Sequence, residues 1–220
     1  SLAGSPSPMV ARAAWAALVA HGEILVAPIV ATGEDEDHYR KVVKWTEKPR
    51  FLEIVTQRGT LQVALNTSEA PLECHRLWRL ADDKFFENLT IHRVVPTFVV
   101  QGGDPRGDGW GGPGFTLRHE DGLAPYEPGV VGLAHGGPDT AGSQLFVALT
   151  RQPHLDGRYP VLGKVVNGLD VAQRLRVGDR ILRVKTADEL GTSYPIWYGP
   201  IAPARLDAEI KDWSTQREEY

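Results

Sequence analysis

Cysteine occurs once in the 220 residues, at position 74, and a single thiol excludes an intrachain disulfide. Cys74 sits in a helix-like stretch among apolar residues, where it reads as a buried, inert thiol. Basic charge is not in excess either. Twenty-four Lys and Arg face 28 Asp and Glu, and a net charge of −4 argues against the concentrated basic footprint of a nucleic-acid surface. No stretch approaches the roughly 20 apolar residues of a membrane span. The nearest thing to a targeting segment is MVARAAWAALVA (9–20), but Leu18 is large for the −3 position of a cleavage after Ala20. His75, His92, His119, His135 and His154 show no metal-ligand spacing, and His119-Glu120-Asp121 reads as an exposed loop. No nucleophile–base triad and no internal repeat stand out. Metal, cofactor and nucleophilic chemistry are therefore not expected. The remaining picture is a soluble globular chain, with cytoplasm and bacterial periplasm both open as its compartment.

What is present divides the chain into three. SPSP (5–8) followed by MVARAAWAALVAHG reads as a helix with a proline start and Gly22 as its C-cap, an alanine-rich segment suited to the end of a helical-repeat region. EILVAPIVA then leads to an acidic run, Glu34 to Asp37, expected as a solvated loop. From Phe51 short strands take over. FLEIVTQRGTLQVAL is a hairpin with Gly59 at its turn, and Leu61, Val63 and Leu65 point one face at a core. A helix is expected over 70–83, with Pro71 in its first turn and a buried stripe of Cys74, Leu77, Trp78 and Ala81. Strands follow at IHRVVP, FVVQGG, GVVGLAH, SQLFVALT and YPVLGKVV, then a helix GLDVAQRL and a last strand RILRVK. Strands dominate without β-α alternation, so the fold class is mainly β, a closed antiparallel barrel with helical plugs. An N-terminal extension (1–50), a barrel domain (51–187) and a C-terminal extension (188–220) with a helix-like acidic end complete the plan.

Residues 102–114 hold seven glycines, and Gly107-x-Gly109-x-x-Gly112 spells a dinucleotide-binding loop. Such a loop must open a helix whose amides meet the phosphate. Here Pro113-Gly114-Phe115-Thr116-Leu117 follows, so the match is accidental. Arg106-Gly107-Asp108 spells an adhesion tripeptide, equally by chance in a turn of this composition. The preceding strand is more informative. Alternation puts Arg93 and Val95 on one face of HRVV, and sets Phe98 and Val100 against Val99 and Gln101. An arginine in an apolar barrel strand is costly without partners, which makes it either a structural ion pair or a functional cation at the rim of an apolar pocket.

IHRVVPTFVVQGGDPRGDGWGGPGF, continuing through GVVGLAHGGPDTAGSQLFVALTRQPHLDGRYPVLGKVVNGLDVAQRL, resembles the cyclophilin-type peptidyl-prolyl cis-trans isomerases over about residues 51–185. The loop that runs into GGPGF without an insertion is most similar to bacterial members. The resemblance implies a closed eight-stranded antiparallel β-barrel capped by two α-helices, with its groove on the outer face. It implies Arg93 as the catalytic arginine, held by Gln101, which also contacts substrate. Phe98, Val99, Phe146 and Leu155 would line the proline pocket, with Tyr159 closing it and Ala134, His135 and Gln144 bordering the groove. His154 stands where familiar members carry the Trp that contacts cyclosporin, so cyclosporin binding is expected to be weak. The implied partners are proline-containing peptides and flexible protein segments, met by a monomer without cofactor. A protein-interaction or scaffold module of a larger protein, with weak activity, is the alternative.

Overall fold

Alternating burial along Phe51–Thr56 (β1) marks it as a strand with one face inward, and Gly59–Leu65 (β2) pairs with it antiparallel from Phe51↔Ala64 to Thr56↔Gly59. The computed structural model describes residues 35–120 and 122–190; the helix expected near the start and the elements expected beyond 190 lie outside the described residues. Six more strands complete the sheet: Arg93–Val95 (β3), Val99–Gly102 (β4), Val130–Leu133 (β5), Leu145–Ala148 (β6), Val161–Asn167 (β7) and Ile181–Ala187 (β8). Their order is β3-β4-β6-β5-β7-β2-β1-β8, antiparallel at every pairing. The two ends of this order meet through the segments that precede β3 and β8. Asn88 and Ile91 donate amides to the Ile181 and Asp179 carbonyls, and Ile181 donates back to Leu89. The sheet thus closes on itself as a mainly β barrel.

Two helices plug the interior. Pro71–Asp82 (α2) buries Cys74, Leu77, Trp78 and Ala81, the stripe that 3.6-residue periodicity selects. The Cys74 thiol donates to the Leu162 carbonyl at 3.2 Å, and burial pushes its pKa well up, as suits an inert thiol. The shorter Leu169–Arg174 (α3) sets Val171 and Ala172 into the same core. The N-terminus of α2 has no side-chain cap of its own, since Ala70 occupies the position. Glu120 supplies it from a distant loop, accepting the Leu72 and Glu73 amides at 3.2 and 2.8 Å. His119-Glu120 is therefore not the solvated loop its composition implies.

The acidic run before residue 38 also departs from expectation. Asp35 caps a helix over Glu36–Thr46 (α1), accepting the His38 amide at 2.9 Å, and Glu36 pairs with Arg40 one turn on. Carboxylates at a helix N-terminus complement its dipole, so the same residues that look like a loop are a start signal. The inner face of α1 lies against α2. Trp45 meets His75 and Trp78 edge-on at 5.1 and 5.5 Å, and the Arg50 guanidinium sits over both indoles. Arg50 also ion-pairs with Asp188, tying the two flanks of the barrel together.

His75 lies in this contact with its Nδ1 buried and without a hydrogen-bond partner. Burial, with His38, Arg79 and Arg50 adding repulsion, lowers its pKa from 6.5 to about 4. Between those values the unfolded chain binds a proton that the folded one refuses, so stability falls as pH drops through that window. His75→Phe keeps an aromatic edge for Trp45 and removes the proton. Its urea midpoint is expected to fall less than the wild type's between pH 7 and pH 4.5. Parallel curves would assign the acid sensitivity elsewhere.

Candidate active site

Strands β3 and β4 pair so that Arg93 lies directly opposite Gln101, and Val95 opposite Val99. The Arg93 Nη1 donates to Gln101 Oε1 at 3.2 Å, and its guanidinium stands 5.5 Å from the centre of the Phe98 ring. Gln101 is buried, so its own amide needs an acceptor, which is Gln144 Oε1 at 2.9 Å. Gln144 in turn donates to the carbonyls of Gly109 and Gly111, each at 2.9 Å. A continuous relay therefore runs from the glycine loop through two glutamines to the arginine. Phe98 departs from the expected alternation. It lies just before β4, after Thr97 in a left-handed conformation (φ 59°), so the strand pleat does not reach it and it faces the same way as Val99 and Gln101.

The loop does cradle an anion, but one of its own. Asp104 is 1% exposed, and its carboxylate accepts the amides of Arg106 at 2.8 Å and Gly109 at 2.6 Å. Burial pushes this carboxyl up, yet the amides of Arg106, Gly109, Gly111 and Gly107 together outweigh it and hold the group below its ordinary value. Successive amides converging on an anion form a nest. At Gly111 a Cβ would lie 1.9 Å from Asp104 Oδ1, so glycine is required there by close approach. In the tripeptide Arg106-Gly107-Asp108 the two charged side chains are paired with each other at 2.5 Å.

Beside the relay lies a cavity of about 520 Å³. Nine residues singled out in the sequence line it: Arg93, Phe98, Val99, Gln101, Ala134, His135, Phe146, Leu155 and Tyr159. Gln144, expected at the border of the groove, is not among the lining residues and is the link just described. His154 is exposed beside the cavity, its ring 5.3 Å from that of Phe98. The floor is a second apolar cluster, separate from the barrel core, in which Val99, Val130, Phe146, Leu155 and Val161 pack around the fully buried Tyr126. Tyr126 stacks on Phe146 at 5.6 Å and donates its hydroxyl to the Pro160 carbonyl at 2.8 Å. Gly132 on β5 makes room for both rings, since a Cβ there would lie 2.2 Å from Tyr126 Oη.

Four lining residues escaped sequence reasoning: His92, Asp108, Gly109 and Trp110. The last three sit in the glycine loop, and only the relay reveals that this loop folds over the groove. Trp110 is 85% exposed, an unusual position for so large an apolar ring. Burial lowers the pKa of His92. Among the described residues no three His, Cys, Asp or Glu side chains converge as a metal site.

The family model for cyclophilin type peptidyl-prolyl cis-trans isomerase/CLD matches residues 51–191. A peptidyl-prolyl cis-trans isomerase of Synechococcus elongatus is 41% identical over 132 residues, which cover 59% of this chain and 91% of that protein. Peptidyl-prolyl cis-trans isomerase B of Bacillus subtilis is 42% identical over 127 residues, covering 57% and 89%. A crystal structure of a Cryptosporidium parvum cyclophilin type isomerase superposes with a TM-score of 0.60 at 26% identity, covering 67% of this chain and 99% of that one. The same protein in the presence of the dipeptide Ala-Pro superposes with a TM-score of 0.58 at 26% identity, over 61% and 96%.

The nest makes a stability prediction independent of any activity. Asp104→Ala strands several buried amides and is expected to destabilise the chain by about 1–3 kcal/mol. Amide hydrogen exchange at Arg106 and Gly109 should accelerate more than exchange in β1 and β2. Gly111→Ala should give the same pattern by steric means. Uniform acceleration across the barrel would contradict a local role for the nest.

Proposed function

The chain belongs to the cyclophilin-type peptidyl-prolyl cis-trans isomerases, and on that premise we propose that the groove turns X-Pro bonds of peptides and flexible protein segments, with Arg93 as the donor to the prolyl nitrogen. The bond resists rotation by about 18–20 kcal/mol because the nitrogen lone pair is conjugated with the carbonyl. At the twisted midpoint that lone pair localises and becomes a better acceptor. A guanidinium aimed at it binds the twisted form more strongly than either planar isomer, which is the requirement for catalysis.

The observation that carries this reading is the placement of Arg93. Its charge stands at the lip of an apolar cavity, one of its five donors engaged by Gln101 and its plane beside the Phe98 ring. Phe98, Val99, Phe146 and Leu155 offer a proline ring an apolar seat, with Tyr159 at its edge. Gln101, Ala134 and His135 border the path of the chain on either side of the proline. The Cryptosporidium relative crystallised with Ala-Pro supports a prolyl dipeptide as the minimal occupant. With His154 rather than Trp beside Phe98, cyclosporin is expected to bind weakly. The reaction breaks no covalent bond and moves no proton, so it asks only for this differential binding.

A charged hydrogen bond is worth about 1.5–3 kcal/mol. Arg93→Ala is therefore expected to lower kcat/KM on a short Ala-Pro peptide roughly 10- to 150-fold, measured by exchange NMR. Failure of the wild-type protein to accelerate exchange would sink the isomerase reading. Acceleration unaltered by Arg93→Ala would sink the assignment of Arg93 alone.

A further inference from the structure

His135 carries chemistry that the proposed reaction leaves unused. It follows β5 at the edge of the groove, and both of its ring nitrogens are engaged. The Gly137 amide donates to Nδ1 at 3.1 Å, while Nε2 lies 3.1 Å from the Arg158 carbonyl oxygen. A backbone N–H can only donate and a carbonyl can only accept. Nδ1 must therefore offer its lone pair and Nε2 must carry the hydrogen, which defines one neutral tautomer. A second proton on Nδ1 would face the Gly137 N–H donor to donor and break that contact.

The ring is also part of the wall. It stacks on Tyr159 with centroids 4.3 Å apart and planes 30° apart, and Tyr159 meets the Phe146 ring edge-on at 5.9 Å. The carbonyl that accepts from Nε2 belongs to Arg158, the neighbour of Tyr159, in a turn fixed by Arg158 and Tyr159 amides donating to Leu155. The His135 ring thus meets the Tyr159 turn twice, through Nε2 at the Arg158 carbonyl and through its face on the Tyr159 ring. On its other side the His119 ring approaches edge-on at 5.0 Å, and the His119 amide is held by Asp139 at 2.8 Å. Among the described residues, the charged and titratable groups around it include His119, Asp139, Arg158 and Tyr159.

We propose that His135 is a positioning residue: as the neutral Nε2–H tautomer it ties the end of β5 to the Tyr159 turn and sets the aromatic wall of the groove, and its protonation loosens that wall. The inference rests on the groove being the site where prolyl peptides bind. Substrate affinity then falls on acidification, with KM rising more than kcat falls. Loss of one neutral hydrogen bond corresponds to about a three- to tenfold drop in kcat/KM.

The test uses the full chain labelled with nitrogen-15. Long-range proton–nitrogen spectra of the imidazoles are followed through a pH titration, alongside Tyr159 ring-proton shifts and exchange NMR on an Ala-Pro peptide. Expected are an unprotonated Nδ1 and a protonated Nε2 for His135 near neutral pH, Tyr159 shifts moving with the His135 midpoint, and kcat/KM falling three- to tenfold through that same midpoint. In His135→Phe, which retains a ring against Tyr159, kcat/KM is expected near the acidic wild-type level with that inflection gone. An Nδ1–H tautomer, Tyr159 shifts that ignore the titration, or an inflection that tracks His92 would each overturn the proposal. If the protein accelerates no exchange at all, the isomerase reading fails while the nitrogen and Tyr159 shifts still decide the clamp. If His135→Phe does not fold, coincidence of the wild-type midpoints decides it.

Discussion

One buried carboxylate fixes the loop on which the groove depends. Asp104 sits almost wholly out of solvent and is tolerable there only because backbone amides of the glycine loop converge on it. Those contacts give a chain of glycines a single shape. Once shaped, the loop presents the Gly109 and Gly111 carbonyls to Gln144, which orients Gln101, which holds Arg93. Each member satisfies the next, so neither glutamine of the relay leaves a buried polar atom unpartnered. The arginine can then stay exposed and charged while its direction is set from within.

The other half of the groove is built by separation of two cores. The barrel interior and its helical plugs form one cluster, while Val99, Tyr126, Phe146 and Leu155 form another on the outer face of the sheet. Strand β4 serves both, sending Val100 inward and Val99 with Gln101 outward. Gly132 on β5 is what allows the Tyr126 and Phe146 rings to stack against the strand instead of standing off it. An apolar seat beside a cation is therefore a consequence of strand alternation on a closed sheet.

Much of this was legible in the sequence because period and register are local. The hairpin at 51–65, the helical stripe through Cys74 and Trp78, and the alternation that sets Arg93 on the same face as Val95 follow from spacing alone. What escaped depends on contacts between distant segments. Glu120 capping α2, Trp110 over the groove and His135 between two backbone turns have no local signature. Two local readings went astray for physical reasons. The acidic run before residue 38 caps and charges a helix start, and Phe98 leaves the strand pleat because Thr97 turns the chain.

The central claim is that Gln144, which is not among the residues lining the cavity, acts on Arg93 through Gln101. A double-mutant cycle in exchange NMR on an Ala-Pro peptide tests it most directly. Gln144→Ala is expected to lower kcat/KM about three- to tenfold when Arg93 is present and to cost markedly less in Arg93→Ala. An equal loss in both backgrounds would contradict the relay and leave Gln144 as an independent contact.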